Sequence, residues 1–530
     1  MGDIIIGKNT LESLSTGMYA DPRAIYREYI QNATDSIDHA VSAGLMELDD
    51  AEIQITIDAR ANSIRIWDNG TGVAAAEVRN TLSDVGNSMK DYTQNRGFRG
   101  IGRLGGLAYC DTLYFITSAK GEAQKSVMRW DCIRMRELLA PSNKEISDIV
   151  GVISEITKIS LEAEEEAAHY FEVRMENISP VSDILLRENE IKTYVALVAP
   201  VDFDGQKFRQ SPKIKEFFSL KNQALPCYNI YFGNRHMPVY KLYSQRLTAS
   251  VGRKREREND YIQDVDLVYE EDERGKPLYI GWLAITDFSG QVEDVSLQGI
   301  RLRKNNILVG DERTFVKYFP SEGHTANKWF AGEIHVLDVD IIPNSQRDDF
   351  EPSAAYKRMR LSLEKWAGEI NRKYRRGTSE ATSAIRKIEE VDRSRKELEE
   401  KIENGAISSD TKRDELTQEL EKLQRTRKKE EANLRRALDR GAMPEQGRRE
   451  RAQKLLSGSE KAEKAAAKIS TKIAKADYAT KKDLPSSYSR EERTLYQRII
   501  SVIDAYFARE KNVAEELRKA IIEELRVKKK

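Results

Sequence analysis

The period of the hydrophobic pattern changes once along the chain, near Phe350, and that change bounds what the polypeptide can fold into. Before it, apolar residues recur at every second position in short runs. EIQITIDAR and SIRIWDNG alternate in this way around a turn at Arg60 to Ser63, which predicts a hairpin of half-buried strands. After it the strand-like runs stop and Lys, Arg, Glu, Ala and Leu dominate. Ala384, Ile388, Val391, Arg395, Leu398 and Ile402 then follow alternating spacings of four and three, as do Leu416, Leu420, Leu423, Arg427, Glu430, Leu434 and Ala437. Asn404-Gly405 and Ser408-Ser409-Asp410 lie between the two runs, so the pattern predicts an antiparallel coiled-coil hairpin over about 380–440.

A chain of 530 residues exceeds one hydrophobic core, and three regions are expected. Residues 1–177 mix helices with strand-like runs such as TLYFITSA, KSVMRWDC and GVISEITKISLE. They predict an α/β sandwich whose mixed, mainly antiparallel sheet is covered by helices. Residues 178–352 carry their own β-branched and aromatic supply in KTYVALVAPVDF, LYIGWLAITDF, GIRLRKNNILVG and GEIHVLDVDIIPN, and predict a second α/β domain. Residues 353–530 are expected to be α-helical. There Pro444 ends the hairpin and a low-complexity Ala/Lys/Ser stretch runs from about 455 to 480. Ser489 with Glu492 then forms a capping box ahead of a long terminal helix, about 489–527. Its stripe of Leu495, Ile499, Val502, Tyr506, Val513, Leu517 and Ile521 requires a partner, either another helix of the same chain or a second subunit.

Composition excludes several function classes. Lys and Arg number 87 against 87 Asp and Glu, so no overall field advertises nucleic acid and electrostatic binding must be local. Cys110, Cys132 and Cys227 form no metal-ligand spacing, and their dispersal fits a reducing compartment. No apolar run approaches the ~20 residues needed to span a bilayer. The opening MGDIIIGKNT has too short an apolar core for a signal peptide, so a cytoplasmic protein with no membrane partner is expected.

Three short elements carry chemistry. In REYIQNATDSID, Glu28, Asn32 and Asp35 stand four and three apart and share one helix face, either as a solvated surface or as part of a site. DNGTG, from Asp68 to Gly72, follows the strand IRIW. It is ordinary turn chemistry, but a buried carboxylate there can also accept from an exocyclic amine such as adenine N6. GFRGIGRLGG, from Gly97 to Gly106, contains Gly97, Gly100 and Gly102 as G-x-x-G-x-G. No strand precedes it and no Gly-Lys-Ser/Thr follows, so it is neither a Rossmann fingerprint nor a Walker A loop, yet it can present backbone N–H groups to phosphate oxygens.

The order of these elements within about 75 residues resembles the Bergerat ATP-binding fold of the GHKL superfamily, which includes gyrase, the ninety-kilodalton heat-shock chaperones, histidine kinases and MutL. VGNSMK, with Ser88 and Lys90, also resembles a segment of its MORC- and MutL-like members. The resemblance implies ATP and Mg²⁺ as cofactors, Glu28 as general base for an attacking water, and Asn32 as the magnesium ligand. It implies Asp35 near the sugar and base, Asp68 reading adenine N6, and Gly72 giving the base room. Gly97, Gly100, Ile101 and Gly102 would wrap the phosphates in a lid, where Arg99 and Arg103 could also approach them. Thr157 in EITKI matches a supporting Thr, although Ile156 precedes it where the family has Gly.

IIPNSQRDDF resembles a loop in the middle domain of the heat-shock chaperones, which implies that Arg347 reaches the γ-phosphate from the second domain, with Arg301 and Arg303 as secondary candidates. The alternative is a surface turn in which Arg347 pairs with Asp348 or Asp349. A histidine kinase is not expected, because no phosphoacceptor histidine precedes the ATP region, and a gyrase-type enzyme lacks room for a cleavage region. Two readings then compete. One is an ATP-hydrolysing homodimeric clamp acting on a protein client or partner subunit. The other is a MORC- or MutL-like ATPase acting on DNA in genome maintenance or phage defence, supported by the Lys/Arg-rich coiled coil, for example LQRTRKKEEANLRRALDR, although such runs also carry acids and are usually solvated faces. A nucleotide-responsive interaction protein without turnover is a third possibility, against which Glu28 counts.

Overall fold

The computed structural model describes residues 7–15, 21–84, 102–233, 237–251, 256–288, 290–319, 323–403, 407, 410–439, 446–475, 489–507 and 511–527. Ser88, Lys90, Gly97, Arg99, Gly100, Ile101 and the Asn404-Gly405 break lie outside them. The chain divides into two compact units, residues 1–369 and 370–530.

The first sheet is built as the alternation predicted. Strands β1 (Glu52–Asp58) and β2 (Ser63–Asp68) pair antiparallel from Ile53–Asp68 to Asp58–Ser63. Asp58 Oδ1 closes their turn by accepting from the Arg60 and Ala61 amides, and Asn62 takes the left-handed conformation there, which an Asn side chain tolerates. Next come β3 (Cys110–Ser118), β4 (Gln124–Asp131), β5 (Thr157–Ala163), β6 (Tyr170–Ile178), β7 (Asn229–Phe232) and β8 (Met237–Pro238). The eight strands lie in the order β5-β4-β3-β6-β2-β1-β7-β8, antiparallel throughout except for β1 beside β7. The helix Ala24–Ser42 packs Ile25, Tyr26, Tyr29, Ile30, Ala33 and Ile37 into the same core as Ile53, Ile64, Phe115 and Met175.

The expected boundary at residue 178 does not separate two cores. Ile191 and Val195 from the helix Glu188–Val198, together with Ile230 and Phe232 of β7, complete the first core. The edge of β1 has open backbone groups, and the parallel strand β7 satisfies them. The second sheet is formed by β11 (Asp264–Glu271), β12 (Pro277–Ile285), β14 (Gly299–Lys304), β15 (Ile307–Val309) and β16 (Ala331–Val336), in the order β11-β12-β16-β14-β15. A smaller sheet joins β9 (Arg246–Val251), β10 (Glu256–Tyr261) and β13 (Gln291–Val292). Trp282 is fully buried against Phe203, Phe208 and Tyr243. Beneath this sheet Glu333, fully buried, holds Lys241 at 2.9 Å, Arg303 at 2.5 Å and His335 at 3.2 Å. Arg303 also donates to the Leu197 carbonyl at 2.8 Å, so this secondary phosphate candidate is instead a buried tie between the two sheets' layers.

In the unit of residues 370–530, the helices Gly377–Glu403 and Asp410–Asp439 pack against each other. The stretch read as low complexity supplies a further layer. Helix Ser459–Lys475 buries Ala462, Ala466, Ile469 and Ile473, and the last three join Leu398, Ile402, Leu416 and Leu420 in one core. Alanine hides this seam from a reading by composition, but its spacings of four, three and four are those of a packed helix. The terminal segment is likewise two helices, Arg490–Tyr506 and Lys511–Val527, instead of one. Folding back lets Tyr496 of the first cover Ile522 of the second, which a single continuous helix would leave in water. Among the described residues no helix is long and apolar enough to cross a membrane.

Candidate functional site

The helix Ala24–Ser42 faces the sheet with its apolar side and carries its polar stripe along one flank. A solvated surface is excluded by burial, because Glu28 is 7% and Asp35 2% exposed, with Asn32 half-buried between them. Eight residues of helix, about 12 Å, separate Glu28 from Ser36, and each end of the stripe meets a different loop.

At the Ser36 end sits the DNGTG loop. The Ser36 carbonyl accepts from the Thr71 amide at 3.3 Å, and Asp68, 4% exposed, accepts from the Gly70 amide at 3.0 Å. A Cβ at Gly70 would lie 2.1 Å from Ser36 Oγ, so only glycine lets loop and helix meet. Gly72 has φ +66°, and a Cβ there would lie 1.9 Å from the Ser118 carbonyl oxygen. Its required smallness is thus toward the protein's own β3 backbone, a constraint different from room for a base.

Thr157 does not reach this loop. Asp68 stands in a cross-strand row with Phe171 and Thr117, whereas Thr157 stands in the row of Trp130, Leu113, Met175 and Ile64. That is four strands and four residues away, on the order of 20 Å. Its hydroxyl bonds the Ile153 carbonyl at 2.7 Å instead. The residues that do brace the loop are Thr117, whose hydroxyl accepts from the Val73 amide and donates to the Tyr170 carbonyl, each at 2.9 Å, and His169, whose Nδ1 lies 2.8 Å from the Gly70 carbonyl. The T-K-I likeness points to β5; only the strand order, which puts β6 beside β2 and β3 next beyond β6, identifies Thr117 and His169.

At the Glu28 end three segments converge. Gly102 opens a short 3₁₀ turn, Gly102–Ala108, and a Cβ on it would lie 2.4 Å from Glu28 Oε2. Tyr29 fixes this turn, its hydroxyl donating to the Arg103 carbonyl at 3.1 Å and accepting from the Gly106 amide at 3.0 Å. Arg103 turns away to donate to the Asp84 carbonyl, and burial pulls its guanidinium down to about 10. The third segment is the loop of IIPNSQRDDF, where Arg347 Nε approaches Glu28 Oε1 at 3.3 Å. Arg27 Nε lies 3.6 Å from the same oxygen, and its guanidinium donates to the Gln346 carbonyl at 3.1 Å.

The loop itself is tightly held. Asn344 bonds Asp348 at 2.6 Å, Asp349 pairs with Lys317, and Gly310 N–H donates to the Arg347 carbonyl at 2.8 Å. Arg347 is held at φ +56°, a conformation that costs a non-glycine residue roughly 1 kcal/mol or more. The turn's acids are thus engaged elsewhere, and the strained residue projects its cation to the helix. A cleft of about 830 Å³ opens beside the pair, lined in part by Arg27, Tyr194, Arg301, Gln346 and Arg347. Arg301 donates to the Val295 carbonyl at 2.7 Å.

Two buried side chains on the stripe lack hydrogen bonds among the described residues, which fits a ligand beside them. Among the described residues Glu28 Oε1 accepts no hydrogen bond despite its cationic neighbours, and neither amide atom of the fully buried Gln31, one turn along the stripe, has a partner. A magnesium nucleotide suits this set, since Mg²⁺ binds through one or two protein oxygens plus phosphates. Glycines hold the backbone close at both ends. Residues 23–161, which span the stripe, the Asp68 loop and the glycine turn, match the family model for histidine kinase-, DNA gyrase B-, and HSP90-like ATPases. Residues 23–161 are a GHKL-type ATPase domain. Two relatives are each similar to part of this chain. Chaperone protein HtpG of Psychrobacter arcticus is 27% identical over 138 residues, 23% of this chain and 21% of that protein. Chaperone protein HtpG of Vesicomyosocius okutanii subsp. Calyptogena okutanii is 25% identical over 131 residues, 21% of each. The match spans about a fifth of each relative's length.

Proposed function

We propose that the chain is an ATP-hydrolysing conformational clamp, in which closure of the second α/β region on the GHKL domain completes the catalytic site and the work is done on a protein partner. The reading rests chiefly on one observation, the 3.3 Å approach of Arg347 to Glu28. A cation borne by a separate sheet region and aimed at the carboxylate of the ATPase helix links hydrolysis to the relative position of the two regions. Bound Mg²⁺–ATP would supply the electrophilic γ-phosphoryl group. Glu28 would orient a water and take its proton, and Asn32, one turn along, would offer its amide oxygen to the metal. Asp68 would accept from the adenine amine, with Asp35 on the base and sugar side. Arg347 would neutralise charge on the transferred group. Gly102 lets the lid's end close on Glu28, since any larger residue would push into the carboxylate.

A homodimer closing with nucleotide, and a protein client, fit the likeness to chaperone protein HtpG. The DNA-acting alternative draws no support from the helical unit, where Arg427 pairs with Asp392 and Glu431, Arg451 with Glu389, and Lys472 with Glu399 and Glu403. Phosphate release by the full chain, with and without unfolded protein or duplex DNA, tests the reading. Stimulation by the protein supports it, and stimulation by DNA alone with a steep salt dependence overturns it.

A further inference from the structure

The ATPase helix Ala24–Ser42 buries one polar side chain to which neither its core nor its loops give a partner. Gln31 is fully buried, and among the described residues neither its Nε2 nor its Oε1 makes a hydrogen bond; it is the one described side chain with two buried atoms in that state. Its backbone carbonyl, by contrast, accepts from the Thr34 hydroxyl at 2.9 Å. A buried amide of this kind is uncommon, and where it persists it marks strain, an ordered water or a catalytic role. An amide end offers two donors and an acceptor. Whatever answers it in full must therefore both donate and accept, as water does and as a bare metal ion or an apolar group does not.

Helix geometry says what lies beside that amide. Gln31 stands three residues after Glu28 and four after Arg27, so the three are neighbours on successive turns. At roughly 100° per residue, Arg27 and Gln31 fall on one side of Glu28 and Asn32 on the other. The two oxygens of Glu28 divide in the same way. Oε2 faces the glycine turn, where a Cβ on Gly102 would lie 2.4 Å from it, and Oε1 faces the cations, 3.6 Å from Arg27 Nε and 3.3 Å from Arg347 Nε. Oε1 is also the oxygen that accepts no hydrogen bond among the described residues. An acceptor and an amide, both buried and both unanswered, thus share the Arg27 flank of one helix.

We propose that Gln31 holds the attacking water together with Glu28. The water donates one hydrogen to Glu28 Oε1 and the other to Gln31 Oε1, which turns a lone pair of its oxygen toward the γ-phosphorus, and Gln31 Nε2 donates to an oxygen of the phosphoryl group. A carboxylate alone fixes one hydrogen and leaves the water free to rotate about that bond; the amide fixes the second. In the step itself the water oxygen bonds to phosphorus and one water proton passes to Glu28. The bond from phosphorus to the β,γ-bridging oxygen breaks with its electron pair left on ADP, and the products are ADP and inorganic phosphate. Gln31 takes no proton and is a positioning residue. The inference rests on the hydrolytic role proposed for Glu28 and adds to it the residue that orients the nucleophile.

Gln31→Met in the full chain tests it, because that change nearly keeps the side chain's length while removing both polar ends, and two of its effects should oppose each other. Without nucleotide the variant should unfold at higher urea than the wild type, since an apolar group replaces an amide that has no partner. With Mg²⁺–ATP its kcat should fall about 100-fold, seen in single-turnover chemical quench as slower cleavage, while ATP affinity by equilibrium dialysis stays within about two-fold. A merely structural residue would lower stability and turnover together. A variant less stable than the wild type, or one that does not fold, overturns the inference, because the amide then has partners in the resting protein. Unchanged kcat, or a loss confined to affinity, overturns it too. If Glu28→Ala stops phosphate release and Gln31→Met does not, the inference falls while the clamp reading stands; a wild-type chain that cleaves no ATP removes both.

Discussion

Replacing Arg347 separates the ion pair from the backbone that presents it. The Arg347 side chain is 13% and the Glu28 side chain 9% exposed, and their charged groups lie 3.3 Å apart. At an effective dielectric of ~20 the bare attraction is about 5 kcal/mol, a ceiling that desolvation reduces to roughly 2 kcal/mol of net coupling. Arg347→Ala loses that coupling while keeping the left-handed φ of 56°. Arg347→Gly loses it too but relieves the backbone, so the Gly variant should be more stable than the Ala variant by about 1 kcal/mol. Urea unfolding followed by tryptophan fluorescence reads this out cleanly, because all five tryptophans, Trp67, Trp130, Trp282, Trp329 and Trp366, lie before residue 370. A double-mutant cycle with Glu28→Gln should return the roughly 2 kcal/mol coupling. In turnover, both Arg347 variants should lose about 10²–10³ in kcat with ATP affinity nearly unchanged, as when one preorganised charge is removed. A cycle that sums to zero, or a loss confined to affinity, refutes the cross-region role.

Three further outcomes follow from the same geometry. Glu28→Ala should bind ATP yet release no phosphate, and unchanged turnover would remove Glu28 from its role. Gly102→Ala forces the Glu28 carboxylate to move, since the new Cβ would lie 2.4 Å from Oε2. Turnover should fall about 10–100-fold with little change in urea stability, because only the end of a side chain is displaced. Burial pulls His335 from its ordinary value near 6.5 down to about 4. The unfolded chain therefore binds more protons between those values, and stability, complete above pH 6.5, should decline as pH falls toward 4 by on the order of 1–3 kcal/mol. A urea midpoint flat from pH 7 to pH 4.5, or a decline undiminished in His335→Gln, contradicts this.

What the sequence made legible was local. Strand alternation in EIQITIDAR, the capping box at Ser489, and the spacing of Glu28, Asn32 and Asp35 are all short-range patterns, and each corresponds to a described element. The likeness of a single loop singled out Arg347 as a residue directed at the γ-phosphate, and its approach to Glu28 was not among the expectations. Long-range pairing was not legible. Strand β7 closes the first sheet from the far side of the expected boundary, and β6, not β5, lies beside β2; so Thr117 and His169 brace the Asp68 loop where Thr157 was expected. Cys110 and Cys132, 22 residues apart, meet at 3.9 Å in the core for the same reason. The terminal stripe was visible, but the fold-back that covers Tyr496 with Ile522 is not encoded by periodicity.

Equilibrium dialysis of labelled ATP against the full chain with Mg²⁺ tests the central claim most directly. One saturable site per chain, abolished by Asp68→Asn with the tryptophan-reported fold intact, is the predicted result. Absence of saturable uptake by the wild-type chain, or uptake indifferent to Asp68→Asn, contradicts it.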